Sequence, residues 1–241
     1  MVEPSPILSF AGADELAAAA AAAWLDEIEA ANRAGRGFCV ALSGGRIAQN
    51  LFTATAAQAA TRNTSFANVH FFWADERCVP PSDPESNFKL ADECLFRPLR
   101  IVTQNIHRLR GEENPAAAAQ EAEAELDRIA LKNASGQPLL DLIILGMGED
   151  GHIASLFPGA TAEIVDISVS FLVVKNSPKP PPIRISLSYN MIIAAKTVWV
   201  LISGAGKAAA LRESLAPEGR TPLAKIIHRR PVKIFSAINK F

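Results

Sequence analysis

The stretch Asp141-Leu-Ile-Ile-Leu-Gly146 is an apolar run that ends in a glycine, and Met147-Gly-Glu-Asp-Gly-His152 follows it. A run apolar at every position, and not at alternate ones, reads as a strand buried on both faces. Its polar, glycine-rich tail then reads as the loop beyond the strand's carboxyl end. The pattern recurs along the chain. Phe38 to Leu42 leads into Ser43-Gly44-Gly45, Val69 to Trp73 into Asp75-Glu76-Arg77, and Val198 to Ile202 into Ser203-Gly204. In α/β sheets, ligands bind beyond the carboxyl ends of the strands. Four polar strand ends therefore define one candidate crevice.

The intervening segments read as helices. Asp14 to Asn32 is an alanine-rich helix with Asp14 as its cap and Gly35 and Gly37 at its end. Others are expected from Ser43-Gly44-Gly45 to about Ala60, near Asn87 to Leu95, over Pro115 to Leu131 with Pro in the first turn, over Ser188 to Ala195, and over Gly206 to Leu215. Phe171 to Val174, Ile183 to Leu187 and Val232 to Phe235 read as further strands, and Pro178 to Pro182 as a rigid loop. Strands alternating with helices predict an α/β fold: one domain over residues 1–241, with a mostly parallel, Rossmann-like sheet and helices on both faces.

Composition narrows the function classes. The chain has 241 residues, 49% hydrophobic and 20% charged, which suits a packed core and excludes intrinsic disorder. A net charge of -1 gives no field toward nucleic acid or an anionic membrane, so neither is an expected partner. Cys39, Cys78 and Cys94 are too few and too scattered for a disulfide framework or a zinc site, and an odd count fits reduced thiols in a cytoplasm. The N-terminus lacks the basic region of a secretory signal. The alanine run near residues 17–25 is followed by Asp26, Glu27 and Glu29, so it reads as a helix and not a membrane span.

Each polar strand end carries two readings. Ser43-Gly44-Gly45 at a helix start is either an anion-binding loop or a tight turn. Asp75-Glu76-Arg77 is either an active-site rim or a solvated, salt-bridged turn. His152 in a glycine-rich loop suits a general base with Asp150 as its orienting carboxylate; the other reading is a structural loop histidine. Arg184 and Lys207 are candidate phosphate ligands or ordinary surface cations. Gly146 to Gly151 matches the dinucleotide pattern G-x-G-x-x-G, with Asp166 at a fitting distance. Glu149 and Asp150 would repel a pyrophosphate there, so no nucleotide cofactor is expected. No second His or Cys lies at ligand spacing from His152, so no metal is expected either.

Together these motifs resemble the 6-phosphogluconolactonase family, which is related in fold to glucosamine-6-phosphate isomerase/deaminase. The resemblance is carried by Ala41-Leu-Ser-Gly-Gly45, Trp73-Ala-Asp-Glu-Arg-Cys-Val-Pro80, Ser86-Asn87, Leu145 to Gly159, Arg184-Ile-Ser-Leu187 and Ser203-Gly-Ala-Gly-Lys207. It implies a cytoplasmic enzyme, free of cofactor, that hydrolyses 6-phosphoglucono-δ-lactone. By that resemblance His152 is the base acting on water and Asp150 shapes its loop. Arg77 belongs to the catalytic site, and Asp75 contacts the sugar ring or neighbouring cations. Ser43, Gly44, Gly45, Arg184 and Lys207 hold the phosphate. The family's first motif continues Ser/Thr-Pro, whereas Arg46-Ile47-Ala48 stands here, so Arg46 either adds a phosphate contact or faces solvent. The alternatives are an isomerase/deaminase, whose loop carries a Glu where Phe157 stands, and a non-catalytic sugar-phosphate-binding module.

Overall fold

In the computed structural model, which describes residues 3–159 and 168–238, the apolar runs pair as parallel strands. β2 (Phe38–Leu42) lies between β3 (Val69–Trp73) and β5 (Leu142–Gly146). Beyond β5 come β8 (Thr197–Ser203), β9 (Lys233–Ala237) and β1 (Ile7–Ser9), so the sheet runs β1-β9-β8-β5-β2-β3. Every residue of β2 is buried. Side chains alternate between the two faces of a strand, so both faces of the sheet are covered.

The covering helices follow from the sequence with local adjustments. α1 (Ala13–Arg33) packs on α2 (Arg46–Arg62) and buries Trp24, Leu25 and Ile28. Gly12, not Asp14, is its cap. Asp14 sits in the first turn, where its charge favours the helix N-terminus, and accepts a bond from Asn50 at 2.8 Å. α3 (Asn87–Ala91) passes into a π-helical turn over Asp92–Phe96 and a last turn, α4 (Arg97–Leu99). α5 (Pro115–Ile129) is capped by the Asn114 side chain, and α6 (Tyr189–Ala194) by Ser188. α7 (Ala208–Leu215) follows a 3-10 turn over Ala205–Lys207, and α8 (Pro222–Ile227) is capped by Thr221.

One expectation needs correction. β6 (Phe171–Val174) and β7 (Arg184–Leu187) do not extend the parallel sheet. They form a separate antiparallel sheet with β4 (Asp75–Arg77), in the order β4-β7-β6. Parallel neighbours need a long crossover, usually a helix, whereas only the proline-rich segment 175–183 joins β6 to β7. Ala74 hinges the two sheets: its N–H donates to Leu42 of the large sheet and its carbonyl accepts from Leu187 of the small one, both at 2.7 Å. Asp166, noted for the dinucleotide pattern, lies outside the described residues. Among the described residues no helix is long and apolar enough to cross a membrane.

At one edge of the sheet, His70 Nδ1 on β3 lies 3.0 Å from His107 Nε2, and His107 Nδ1 lies 2.8 Å from Glu125 Oε1. Burial holds both imidazoles below the ordinary histidine pKa. The unfolded chain then binds more protons than the folded one below the unfolded pKa of ~6.5, so stability rises with pH there. Urea denaturation should give a full unfolding free energy above about pH 7 and a declining one toward about pH 5.5. The His70→Asn variant should show a shallower decline. A flat wild-type profile over that range would contradict the buried, neutral pair.

Candidate active site

The carboxyl ends of β2, β5 and β8 meet the small sheet around a cavity of about 620 Å³. Its first wall is the turn from β2 into α2. A Cβ on Gly44 would lie 1.9 Å from Asn87 Oδ1, so only glycine leaves room for the Asn87 side-chain amide against this turn. The Ser43 hydroxyl is buried and has no hydrogen-bond partner within the protein. A buried hydroxyl facing a cavity without a partner suits a site that receives a polar ligand. Arg46 and Asn50, in the first turns of α2, line the same wall.

Along the same sheet edge stands the end of β8, where Ser203 and Gly204 lead to Lys207. Burial, with the charge of Arg46 second and that of Lys179 last, holds the Lys207 ammonium below its ordinary pKa, against the opposing pull of Glu149. Two cations that disfavour one another, beside an unpartnered hydroxyl, form a seat that an anion would stabilise.

The loop after β5 is the third wall. Gly148 donates its N–H to the His152 carbonyl at 2.9 Å and accepts from Gly151 at 3.1 Å, which closes a tight turn. That turn is backed by α8, where Leu223 N–H donates to the Gly151 carbonyl at 3.3 Å. His152 Nδ1 lies 2.5 Å from Asp150 Oδ1. A carboxylate at Nδ1 fixes the proton there and leaves Nε2 as the basic nitrogen. The Phe157 ring leans over the imidazole with centroids 4.8 Å apart. Burial depresses the His152 pKa and outweighs the Asp150 carboxylate, which pulls it up. Burial is the largest influence on the Asp150 carboxyl and pushes it up, but the hydrogen bonds and charge of His152, with the charge of Lys179, together hold it low.

The small sheet supplies the fourth wall. Alternation along β4 turns Asp75 and Arg77 into the cavity and Glu76 away from it. Asp75 is buried; its Oδ2 accepts from Ser155 Oγ at 2.7 Å, and its backbone carbonyl accepts from Asn87 Nδ2 at 2.8 Å. Glu76 instead clamps the chain behind the wall. Its carboxyl accepts the N–H groups of Arg77, Asn87 and Phe88, each at 2.8 Å, and the Ser86 hydroxyl at 3.1 Å. Burial pushes its pKa up to about 7 against these donors. Arg77 Nη1 donates to the Glu85 carbonyl at 2.5 Å, while its Nε is buried without a partner. Arg184 Nε donates to the Pro181 carbonyl, and Nη2 to those of Lys179 and Pro180, all at 3.1 Å.

Of the residues singled out from the sequence, Ser43, Gly44, Gly45, Arg46, Asp75, Arg77, His152, Arg184 and Lys207 line the cavity. Asp150 does not line it and stands behind the imidazole. Asn87, Glu149 and Lys179 also line it, although sequence reasoning gave Asn87 and Lys179 no role and treated Glu149 only as a barrier to pyrophosphate. Asn87 had a local signal in Ser86, the helix cap before it; Lys179 sits in a proline run that reads only as a loop. Among the described residues no three His, Cys, Asp or Glu side chains gather to hold a metal ion.

A sequence profile of the family described as glucosamine-6-phosphate isomerases/6-phosphogluconolactonase matches residues 11–235. A 6-phosphogluconolactonase of Aggregatibacter actinomycetemcomitans is 37% identical over 196 residues, which cover 80% of this chain and 81% of that protein. One of Haemophilus influenzae is 40% identical over 174 residues, 72% of either chain. The solved 6-phosphogluconolactonase of Trypanosoma brucei matches with a TM-score of 0.85 and 27% identity, over 98% of this chain and 95% of that one.

The loop geometry makes Gly148 a sensitive position. A Cβ there would lie 2.1 Å from both Cε1 and Nδ1 of His152, and 2.6 Å from Asp150 Oδ1. Gly148→Ala should therefore expel the imidazole from its place while the sheet stays folded. The His152 ring resonances should move in an NMR spectrum, and those of His70 and His107 at the β3 edge of the sheet should not. Unmoved His152 resonances would contradict this packing.

Proposed function

The chain belongs to the glucosamine-6-phosphate isomerase/6-phosphogluconolactonase family, and on that premise we propose that it hydrolyses 6-phosphoglucono-δ-lactone to 6-phosphogluconate in the pentose phosphate pathway. It is a carboxylic ester hydrolase, built as one lactonase domain and acting in the cytoplasm without a cofactor or a nucleic-acid partner. The observation that carries the reading is a neutral, carboxylate-oriented His152 in the same cavity as an Arg46–Lys207 anion seat.

His152 Nε2 takes a proton from a water molecule as its oxygen attacks the lactone carbonyl carbon. Negative charge gathers on the carbonyl oxygen, and Arg77, whose Nε lacks a partner, stands as its donor. Collapse of the tetrahedral species breaks the bond to the ring oxygen, and the imidazolium returns its proton there to give a hydroxyl. Asp150 stabilises the imidazolium in between. No covalent nucleophile is needed, because a lactone is already an activated ester. Ser43, the Gly44 and Gly45 amides, Arg46 and Lys207 hold the phosphate, and Arg184 adds its charge. Asp75 accepts from a sugar hydroxyl. Binding at the phosphate, remote from the reacting carbon, orients the carbonyl toward the base.

The isomerase alternative requires a carboxylate at position 157. Phe157 stands there, its ring against His152, so the ring-opening acid/base group is missing.

His152→Ala should lose roughly 10²–10⁴-fold in kcat above spontaneous hydrolysis and still bind 6-phosphogluconate. Because the folded His152 titrates below the ordinary value, kcat/KM should hold through neutral pH and fall only below ~6.5, as the base becomes protonated. Unphosphorylated gluconolactone should be far poorer, since each charge-assisted hydrogen bond lost costs about 1.5–3 kcal/mol. Ammonia release from glucosamine 6-phosphate should be undetectable. A near-normal His152→Ala rate, or equal kcat/KM for the two lactones, would overturn this assignment.

A further inference from the structure

We propose that Arg184 is a positioning residue that holds the loop 178–182 so that the Lys179 ammonium stands beside the Asp150–His152 pair and shares the Asp150 carboxylate with the imidazole. The role of the pair as base rests on the lactonase reading above; the placement of Lys179 does not.

A buried guanidinium is costly unless its donors are matched. Arg184 is only 4% exposed. Two of its nitrogens are matched by the carbonyls of three consecutive residues, Lys179, Pro180 and Pro181. Two of those three are prolines, which have no N–H and offer only acceptors. A planar fork of donors fits this arrangement, and a single ammonium does not. The loop is closed independently by Ser177, whose N–H donates to the Pro182 carbonyl at 2.9 Å and whose hydroxyl donates to the Lys179 carbonyl at 2.7 Å. The Arg184 guanidinium also lies 5.8 Å from the centre of Phe157, the ring that leans on His152. Arg184 therefore supports two walls of the base, and its engaged nitrogens are committed before any phosphate arrives.

Lys179 Nζ lies 3.9 Å from Asp150 Oδ1, the same oxygen that His152 Nδ1 contacts. Asp150 and Asp75 favour a charged imidazole; burial and Lys179 oppose it. The other charges around the cavity are Arg77 and Arg184 on the small sheet, Arg46 on α2, Glu149 beside the base, and Lys207 after β8. Without Lys179, Asp150 would act on His152 alone, and the imidazole would charge at higher pH. Lys179 acts on the ring across Asp150, and unit charges about 6 Å apart in water-like surroundings give an expected change of ~0.5 pH unit.

The test is an NMR titration of the histidine Cε1–H signals in the wild type, Lys179→Met, Arg184→Lys and the double variant, with 6-phosphogluconate affinity measured beside it. Lys179→Met should move the His152 midpoint upward by ~0.5 unit. Arg184→Lys should move it in the same direction, the double variant no further than the larger single shift, and His70, His107 and His228 should titrate as before. The acidic limb of kcat/KM should follow the His152 midpoint. An unmoved midpoint in Lys179→Met would overturn the proposal, and that variant decides alone if Arg184→Lys fails to fold. Weaker 6-phosphogluconate binding by Arg184→Lys with an unmoved His152 midpoint would make Arg184 a direct phosphate ligand instead. The midpoints are read without turnover, so an absence of lactonase activity would count against the proposed function and not against this placement.

Discussion

Burial of the central strands on both faces is the constraint from which the rest follows. β2 presents no exposed residue, and Leu142 to Leu145 and Val198 to Ile202 are buried as well. Strands of this kind can meet water only at their ends, so every polar group that must face a ligand is pushed to the carboxyl edge. The chain leaves that edge through Ser43-Gly44-Gly45, Gly146 to His152 and Ser203-Gly204. Ala74 brings a second sheet onto the same edge through its two 2.7 Å hydrogen bonds. Three strand ends and one small sheet are enough to enclose a cavity of about 620 Å³.

Within that cavity the charges divide into two tasks. Burial and the charge of Arg46 disfavour the Lys207 ammonium beside an unpartnered Ser43 hydroxyl, an arrangement relaxed by an anion. His152, by contrast, is kept uncharged by burial although a carboxylate touches its ring. A base must be neutral to accept a proton, and an oriented one must be hydrogen-bonded; burial and Asp150 meet these demands together. A substrate with an anionic end and a hydrolysable end remote from it suits the two halves.

Much of this was legible in the sequence, and the limits have physical reasons. The three strands that are apolar at every position and their glycine-rich ends were readable, because burial on both faces leaves a continuous run. The cavity-lining residues at those ends followed, since position at a strand end is fixed by the strand. The antiparallel pairing of β6 and β7 was not read, although the shortness of segment 175–183 carries it. β1 and β4 span three residues each, too short for a period to emerge. The opposite facing of Glu76 and its neighbours depends on β4 being a strand at all. Arg184 read as a candidate phosphate ligand, and nothing local to it reveals that the carbonyls of residues 179–181 also engage its donors. Asn87 owes its place in the cavity to contacts with Gly44, Asp75 and Glu76, and Lys179 to the fold of a proline loop that no sequence period announces.

The central claim is that one end of the cavity anchors the phosphate while the other presents His152 Nε2 to the carboxyl carbon. A crystal structure with 6-phosphogluconate bound tests it most directly. The account places the phosphate against the Gly44 and Gly45 amides, Arg46 and Lys207, and the C1 carboxylate within hydrogen-bond reach of His152 Nε2. A product bound in the reverse sense, with its carboxylate in the Gly44–Gly45 turn and its phosphate at His152, would contradict it.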